Sequence, residues 1–218
     1  MDVYRVVSFD PGTRNCGVCR LVYSANTFPK TMEEFLGNIS LEHLAFCDLG
    51  TAHVNVATAQ LRVLAASGGQ LAFLTEKVDY SACIEKQGSV SSPINALCHA
   101  IHGFLLGIHT VNQTTGSVYV DYEAAKKFRG DWIRVPPKNG IPLDLENGGY
   151  SIASDPVKRA AVEVCDRMMT WFNITPQLTE AVAFVKANKR QHDMADCVLQ
   201  AVSYMFTYQV RSVPDVAC

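Results

Sequence analysis

The period of the apolar positions changes several times along the chain, and each change marks an element. Val3 to Phe9 is a short β-branched and aromatic run that ends in Asp10-Pro11-Gly12, so it predicts a first strand closed by a turn. Cys16 to Tyr23 predicts a second strand returning antiparallel to it. After a polar, irregular stretch from Asn26 to Leu41, Leu44 to Leu49 predicts a third. From Asn55 to about Lys77 the apolar residues Leu61, Leu64, Ala65, Leu71 and Leu74 fall at helical spacings, in a helix that Gly68-Gly69 can interrupt. Ser81 to Glu85 reads as a fourth strand, apolar enough to be buried on both faces. A helix from about Pro93 to Thr110 carries Ile94, Leu97, Ile101, Leu105 and Ile108, with proline in its first turn, and Ser117 to Tyr122 predicts a fifth strand. Between Lys126 and Ile152 the composition turns to Gly, Pro, Asn and charge, which predicts an inserted surface loop. Ser154 offers an N-cap for a helix over Pro156 to Phe172, and a last helix is expected from about Asp193 to Gln209.

Three adjacent antiparallel strands followed by helical crossovers predict an α/β fold. The expected sheet is mixed and five-stranded, with strands 1–3 antiparallel, strands 4–5 parallel and helices on both faces. One domain is expected over 1–218, with the insertion near 126–152. The chain is 48% hydrophobic and 18% charged, which suits a core that folds without a partner. A formal net charge of -2 argues against coating nucleic acid by bulk positive potential and leaves room for a local basic cleft. Eight cysteines without a leader pattern point to reduced intracellular thiols, with nucleus, mitochondrion and viral replication site all open as compartments. Cys16 and Cys19 stand three apart on a strand and so face opposite ways, which excludes a shared metal. No apolar run is long enough to span a bilayer, and no glycine-rich phosphate loop is present, so neither a membrane nor a nucleotide cofactor is expected.

The residues suited to chemistry are acids at element ends. Asp10 follows the first strand and precedes a glycine, where a carboxylate serves equally to open a turn or to present a ligand. Glu85 ends the fourth strand. If the two strands are neighbours, these charges repel by roughly 4 kcal/mol at about 4 Å in an effective dielectric near 20, so a cation must compensate. Asp193 and Asp196 share one face of the last helix, where they act either as dipole-favoured first-turn acids or as further ligands. Together the four form an oxygen-only donor set suited to Mg²⁺, with Mn²⁺ as a substitute, and able to hold two ions for in-line phosphodiester hydrolysis. His99 and His102 share a helix face without an evident third ligand and are set aside.

Three motifs carry a resemblance. Asp10-x-Gly12-x-x-Asn15-x-Gly17, Ile84-Glu85-x-Gln87 and His192-Asp193-x-x-Asp196 look like the acidic motifs of RuvC-type Holliday junction resolvases, especially the poxvirus and fungal mitochondrial branch. The likeness runs from about Val3 to Tyr204. It implies a ribonuclease H-like fold, a homodimer, and a Mg²⁺-dependent endonuclease making paired nicks in four-way DNA. It also implies a metal site of Asp10, Glu85, Asp193 and Asp196. His192 stands where an acid is common in the viral branch, and is expected either to assist an ion or water or simply to face solvent. Asn15, Gln87, Lys158, Arg159, Lys189 and Arg190 are the expected DNA contacts, each equally explained as a turn residue or a solvated helix end. Two other functions stay open: a nuclease of the same fold acting on flaps or RNA-DNA hybrids, and a junction-binding protein without cleavage.

Overall fold

A computed structural model describes residues 2–12, 15–27, 29–48, 63, 65–76, 78–85, 92–112, 120–121, 156–187 and 191–206. Strand β1 (Asp2–Pro11) pairs antiparallel with β2 (Asn15–Ala25), and β2 pairs antiparallel with β3 (Ile39–Asp48). On the other side of β1, β4 (Ser81–Ile84) runs parallel to it, and β5 (Val120–Asp121) runs parallel to β4. These five strands form the mixed sheet that the alternation predicts. A two-residue strand, β6 (Asn173–Ile174), adds a sixth at the outer edge of β3, giving the order β5-β4-β1-β2-β3-β6.

Alternation along the central strands sends side chains to two cores. Val6, Cys19, Leu21 and Tyr23 face one side, where they meet helices α3 (Pro156–Met169), α4 (Pro176–Ala187) and α5 (Gln191–Tyr204). Val7, Phe9, Cys16 and Val18 face the other, packed by α2 (Ser92–Asn112) and the short 3₁₀ turn Ala72–Thr75. Helices therefore cover both faces, and Cys16 and Cys19 lie in different cores, as their spacing requires. β4 is buried from both sides, with Cys83 in the first core and Ala82 and Ile84 in the second. No helix among the described residues is long and apolar enough to cross a membrane.

The elements differ from the sequence reading in instructive ways. Part of the stretch read as irregular is helix α1 (Met32–Gly37), whose N-terminus is closed by Thr31 Oγ1 accepting from the Glu34 N–H at 3.1 Å. The Glu34 carboxylate in turn accepts from the Lys30 N–H at 2.7 Å. β3 begins at Ile39 rather than Leu44, because the pairing register shifts opposite Arg20 and Leu21. The extra residue, Glu42, breaks the alternation, so Leu41 and Leu44 reach the same core although they are three apart. α3 ends at Met169 rather than Phe172, and α5 starts at Gln191 and ends at Tyr204. α4 was not expected, although Thr175-Pro176 is an N-cap and first-turn signature. Of the helix expected over 55–77, Val63 and 65–67 are helical, and the chain turns at Gly68 and Gly69. Part of that segment and the expected insertion at 126–152 lie outside the described residues.

α5 is the element that matters for the site. Met194, Ala195, Val198, Leu199, Ala201 and Val202 are all buried. At about 1.5–3 kcal/mol for each large apolar side chain removed from water, this stripe fastens the helix to the sheet strongly enough to offset some crowding of charge at its start.

Candidate active site

β1 and β4 run in the same direction and end together. Phe9 lies opposite Ile84 in the parallel register, and the Glu85 N–H continues the ladder by donating to the Phe9 carbonyl at 3.1 Å. Asp10 and Glu85, the next residues on each strand, are thereby side by side at one end of the sheet. On the other flank of β1, Asp10 pairs with Gly17 of β2.

Gly17 admits the third contributor. A Cβ at this position would stand 2.8 Å from the Asp193 backbone oxygen and 3.6 Å from the Met194 sulfur. The first turn of α5 therefore rests on the bare backbone of β2, next to Asp10, and only glycine leaves that space. One turn further along, the Cys197 thiol donates to the Ser8 carbonyl at 2.9 Å. The start of the helix is thus tied to β1 two residues before Asp10.

The result is a crowd of acids. Asp10 and Glu85 hydrogen-bond through their side chains, and the Asp10 carboxyl is held well above the usual carboxylate range. Burial is the largest cause, followed by the hydrogen bond and charge of Glu85 and then the charge of Asp196. Glu85 itself is 8% exposed, and Asp196 turns Oδ1 into the protein interior. Asp193 sits toward the outside, its Oδ1 3.0 Å from His192 Nε2, with both side chains partly exposed.

Buried thiols lie on both faces of the sheet near the acids, Cys197 in one core and Cys16, Cys47 and Cys98 in the other. Burial pushes Cys47 and Cys98 up to about 12 and raises Cys16 and Cys197 well above the ordinary thiol value. Cys98 also donates weakly to the Glu85 carbonyl, at 3.7 Å. These sulfurs stay protonated at neutral pH and pack as small apolar groups rather than thiolate ligands.

Of the residues singled out in the sequence, Asp10 and Glu85 are in contact, Asp196 acts on Asp10 through space, and Asp193 is engaged by His192. Among the described residues, no three Asp, Glu, His or Cys side chains stand in a ready-made ligand array. The donor chemistry nonetheless fits a hard divalent cation. The acids gathered around Asp10 offer only oxygen, and each acidic neighbour raises it, so what the group lacks is positive charge. Asn15 opens β2, and Lys158 and Arg159 fall in the first turn of α3. Gln87, Lys189 and Arg190 lie outside the described residues. Cys197 and Gln200, which bond α5 to β1 and β4, are not among the residues singled out in the sequence. Gly17 closes the first acidic motif there, and a glycine in a strand interior often marks close backbone approach.

A mixed sheet with this strand order, helices on both faces and acids at the ends of β1 and β4 defines a ribonuclease H-like α/β fold. Among solved structures, the chain is similar to the yeast mitochondrial Holliday junction resolvase, at 13% identity and a TM-score of 0.59 over 95% of this chain and 82% of that one. It is also similar to the fowlpox virus resolvase, solved in complex with substrate Holliday junction DNA, at 16% identity and a TM-score of 0.52 over 93% and 97% of the two chains. Thermus thermophilus RuvC aligns at 12% identity and a TM-score of 0.49, over 95% and 97%. No protein-family model and no curated protein sequence matches the chain. The chain shares its fold with the yeast mitochondrial and fowlpox virus proteins.

Proposed function

We propose that this protein is a structure-selective endonuclease that resolves four-way DNA junctions, acting as a homodimer that places paired nicks. One observation carries the reading: Asp10 and Glu85 meet at the ends of adjacent parallel strands, with Asp196 of α5 near enough to raise Asp10 further. Such crowding costs stability unless a cation is gathered there, which makes it a signature of a site rather than of packing. Asp10, Glu85, Asp193 and Asp196 would hold two Mg²⁺ ions, with Mn²⁺ able to replace them. Bound there, the ions supply an activated water and stabilise charge on the leaving oxygen of a phosphodiester.

The chain's own residues do the positioning. Asp10, flanked by Glu85 on one side and reached by Asp196 from the helix, is the shared acid of the group. His192 orients the Asp193 carboxylate on the outer, partly exposed side, from which a phosphate approaches. Cys197 in one core and Cys16 and Cys98 in the other are buried thiols that stay protonated and add no ligand to the acids. Asn15, Gln87, Lys158, Arg159, Lys189 and Arg190 are proposed to contact the DNA backbone, with junction choice arising from shape rather than base sequence. The fowlpox resolvase, which has this fold and was solved on junction DNA, supports the choice of branched DNA over other substrates.

The test is cleavage of a labelled immobile four-way junction, compared with linear duplex, flap and RNA-DNA hybrid, in Mg²⁺ or EDTA, for wild type and Asp10→Asn. Symmetric nicks confined to the junction, dependent on Mg²⁺ and lost in the variant, are expected. Preferred cutting of flaps or hybrids would transfer the activity to another nuclease class. Tight junction binding without nicking would make the protein a binder.

A further inference from the structure

The buried face of α5 is mainly apolar, with Cys197, Gln200 and Ser203 as exceptions at 0%, 3% and 1% exposed, and Gln200 carries its one primary amide. Burying a primary amide costs free energy unless it is hydrogen-bonded, and a leucine or methionine would fill the same space without that cost. The amide has a partner: Gln200 Nε2 donates to the Cys83 sulfur at 2.9 Å. Cys83 lies on β4 two residues before Glu85, and Ser8, whose carbonyl accepts from Cys197, lies on β1 two residues before Asp10. The helix that carries Asp193 and Asp196 is thus bonded to the two strands that carry the other acids, at equivalent depth on each.

Apolar contacts alone tolerate small slides of a helix along a sheet, whereas directional hydrogen bonds define a register. Gly17 already sets how closely the first turn of α5 approaches the sheet, and Cys197 sets its place along β1. Because β4 is hydrogen-bonded to β1, what these two contacts leave free is rotation of α5 about the line joining them, which swings Asp196 toward or away from Glu85. Gln200 is the residue that spans to β4.

We infer that Gln200 is a positioning residue for the candidate metal centre, using the Cys83 sulfur to hold α5 in the register that brings its acids to Asp10 and Glu85. This inference rests on the reading of those acids as a divalent-ion site. Gln200 touches neither ion nor phosphate, and acts through the placement of Asp196.

The experiment measures Mn²⁺ binding to the full chain by calorimetry, alongside the thermal midpoint in EDTA, for wild type, Asp10→Asn, Gln200→Leu, Gln200→Met, Cys83→Ala and the Gln200→Leu/Cys83→Ala double variant. Gln200→Leu should keep a midpoint close to wild type while losing on the order of tenfold in Mn²⁺ affinity, as supporting residues around metal sites do. Adding Cys83→Ala to it should cause little further loss, since the two changes remove one interaction. A folded Gln200→Leu variant with wild-type Mn²⁺ affinity overturns the inference. So does unfolding of both Gln200→Leu and Gln200→Met, which would assign the amide to stability rather than register. Wild type that binds Mn²⁺ no better than Asp10→Asn would overturn the site itself, a result distinguishable from failure of Gln200 alone.

Discussion

Gly17→Ala is the most direct probe of how the site is assembled. The added methyl would stand 2.8 Å from the Asp193 carbonyl oxygen, where ordinary contact begins at 3.4 Å, so something must give by about 0.6 Å. The obstructing atom is backbone, and it belongs to the first turn of a helix, so it has no rotamer to change. Either β2 bends or the start of α5 lifts. Overpacking of this kind costs about 1–3 kcal/mol, offset by roughly 0.5–1 kcal/mol because alanine loses less backbone entropy on folding than glycine. The net is a loss of up to about 2.5 kcal/mol, a midpoint drop of up to roughly 10 °C for a chain of this size. Activity should suffer more than stability, since a displacement of about 1 Å in a reacting array can cost on the order of 100-fold. Single-turnover junction cleavage with saturating Mg²⁺, run well below the midpoint, should therefore be at least about tenfold slower in Gly17→Ala. A variant that melts and cuts like wild type would refute the close approach of α5 to β2.

Two pH predictions concern stability. The folded-state value of Asp10 is raised, so the folded chain binds its proton more tightly than the unfolded chain does. The associated stability is fully present below the ordinary carboxylate value of 3.8 and is lost as pH rises through the raised one. In EDTA, Asp10→Asn should consequently be more stable than wild type at neutral pH, with the advantage in thermal midpoint disappearing toward pH 4. An advantage that does not depend on pH would count against like-charge crowding. His43, by contrast, is lowered to about 4 by burial and by the nearby Arg20 charge, and its ring lies 4.0 Å from that of Phe73. Its unfolded form binds the extra proton, so stability should fall as pH drops from about 6.5 toward 4, and His43→Leu should flatten that limb of a denaturant-midpoint profile. Equal acid sensitivity in the variant would place the titration elsewhere.

Much of the frame was legible because strand alternation and turn chemistry act over a few residues. Val3 to Phe9 running into Asp10-Pro11-Gly12 announces a strand and its end, and Ser81 to Ile84 announces a strand buried from both sides. The misreadings occurred where a local rule was broken by a neighbour. Glu42 is an extra residue opposite β2, so β3 cannot be followed back to Ile39 by alternation alone. α1 was hidden among polar residues, although Thr31-x-x-Glu34 marks its start.

By itself, the sequence determined that acids stand at the ends of two apolar strands and at the start of an amphipathic helix, because each depends only on nearby residues. Tertiary structure decided which acids meet. Asp10 and Glu85 touch because β1 and β4 share a parallel register, and Asp196 rather than Asp193 bears on Asp10 because of how α5 sits on the sheet. That seating depends on a missing side chain at Gly17 and on bonds from Cys197 to Ser8 and from Gln200 to Cys83. These contacts join positions far apart in the chain, and periodicity carries no information about such distances.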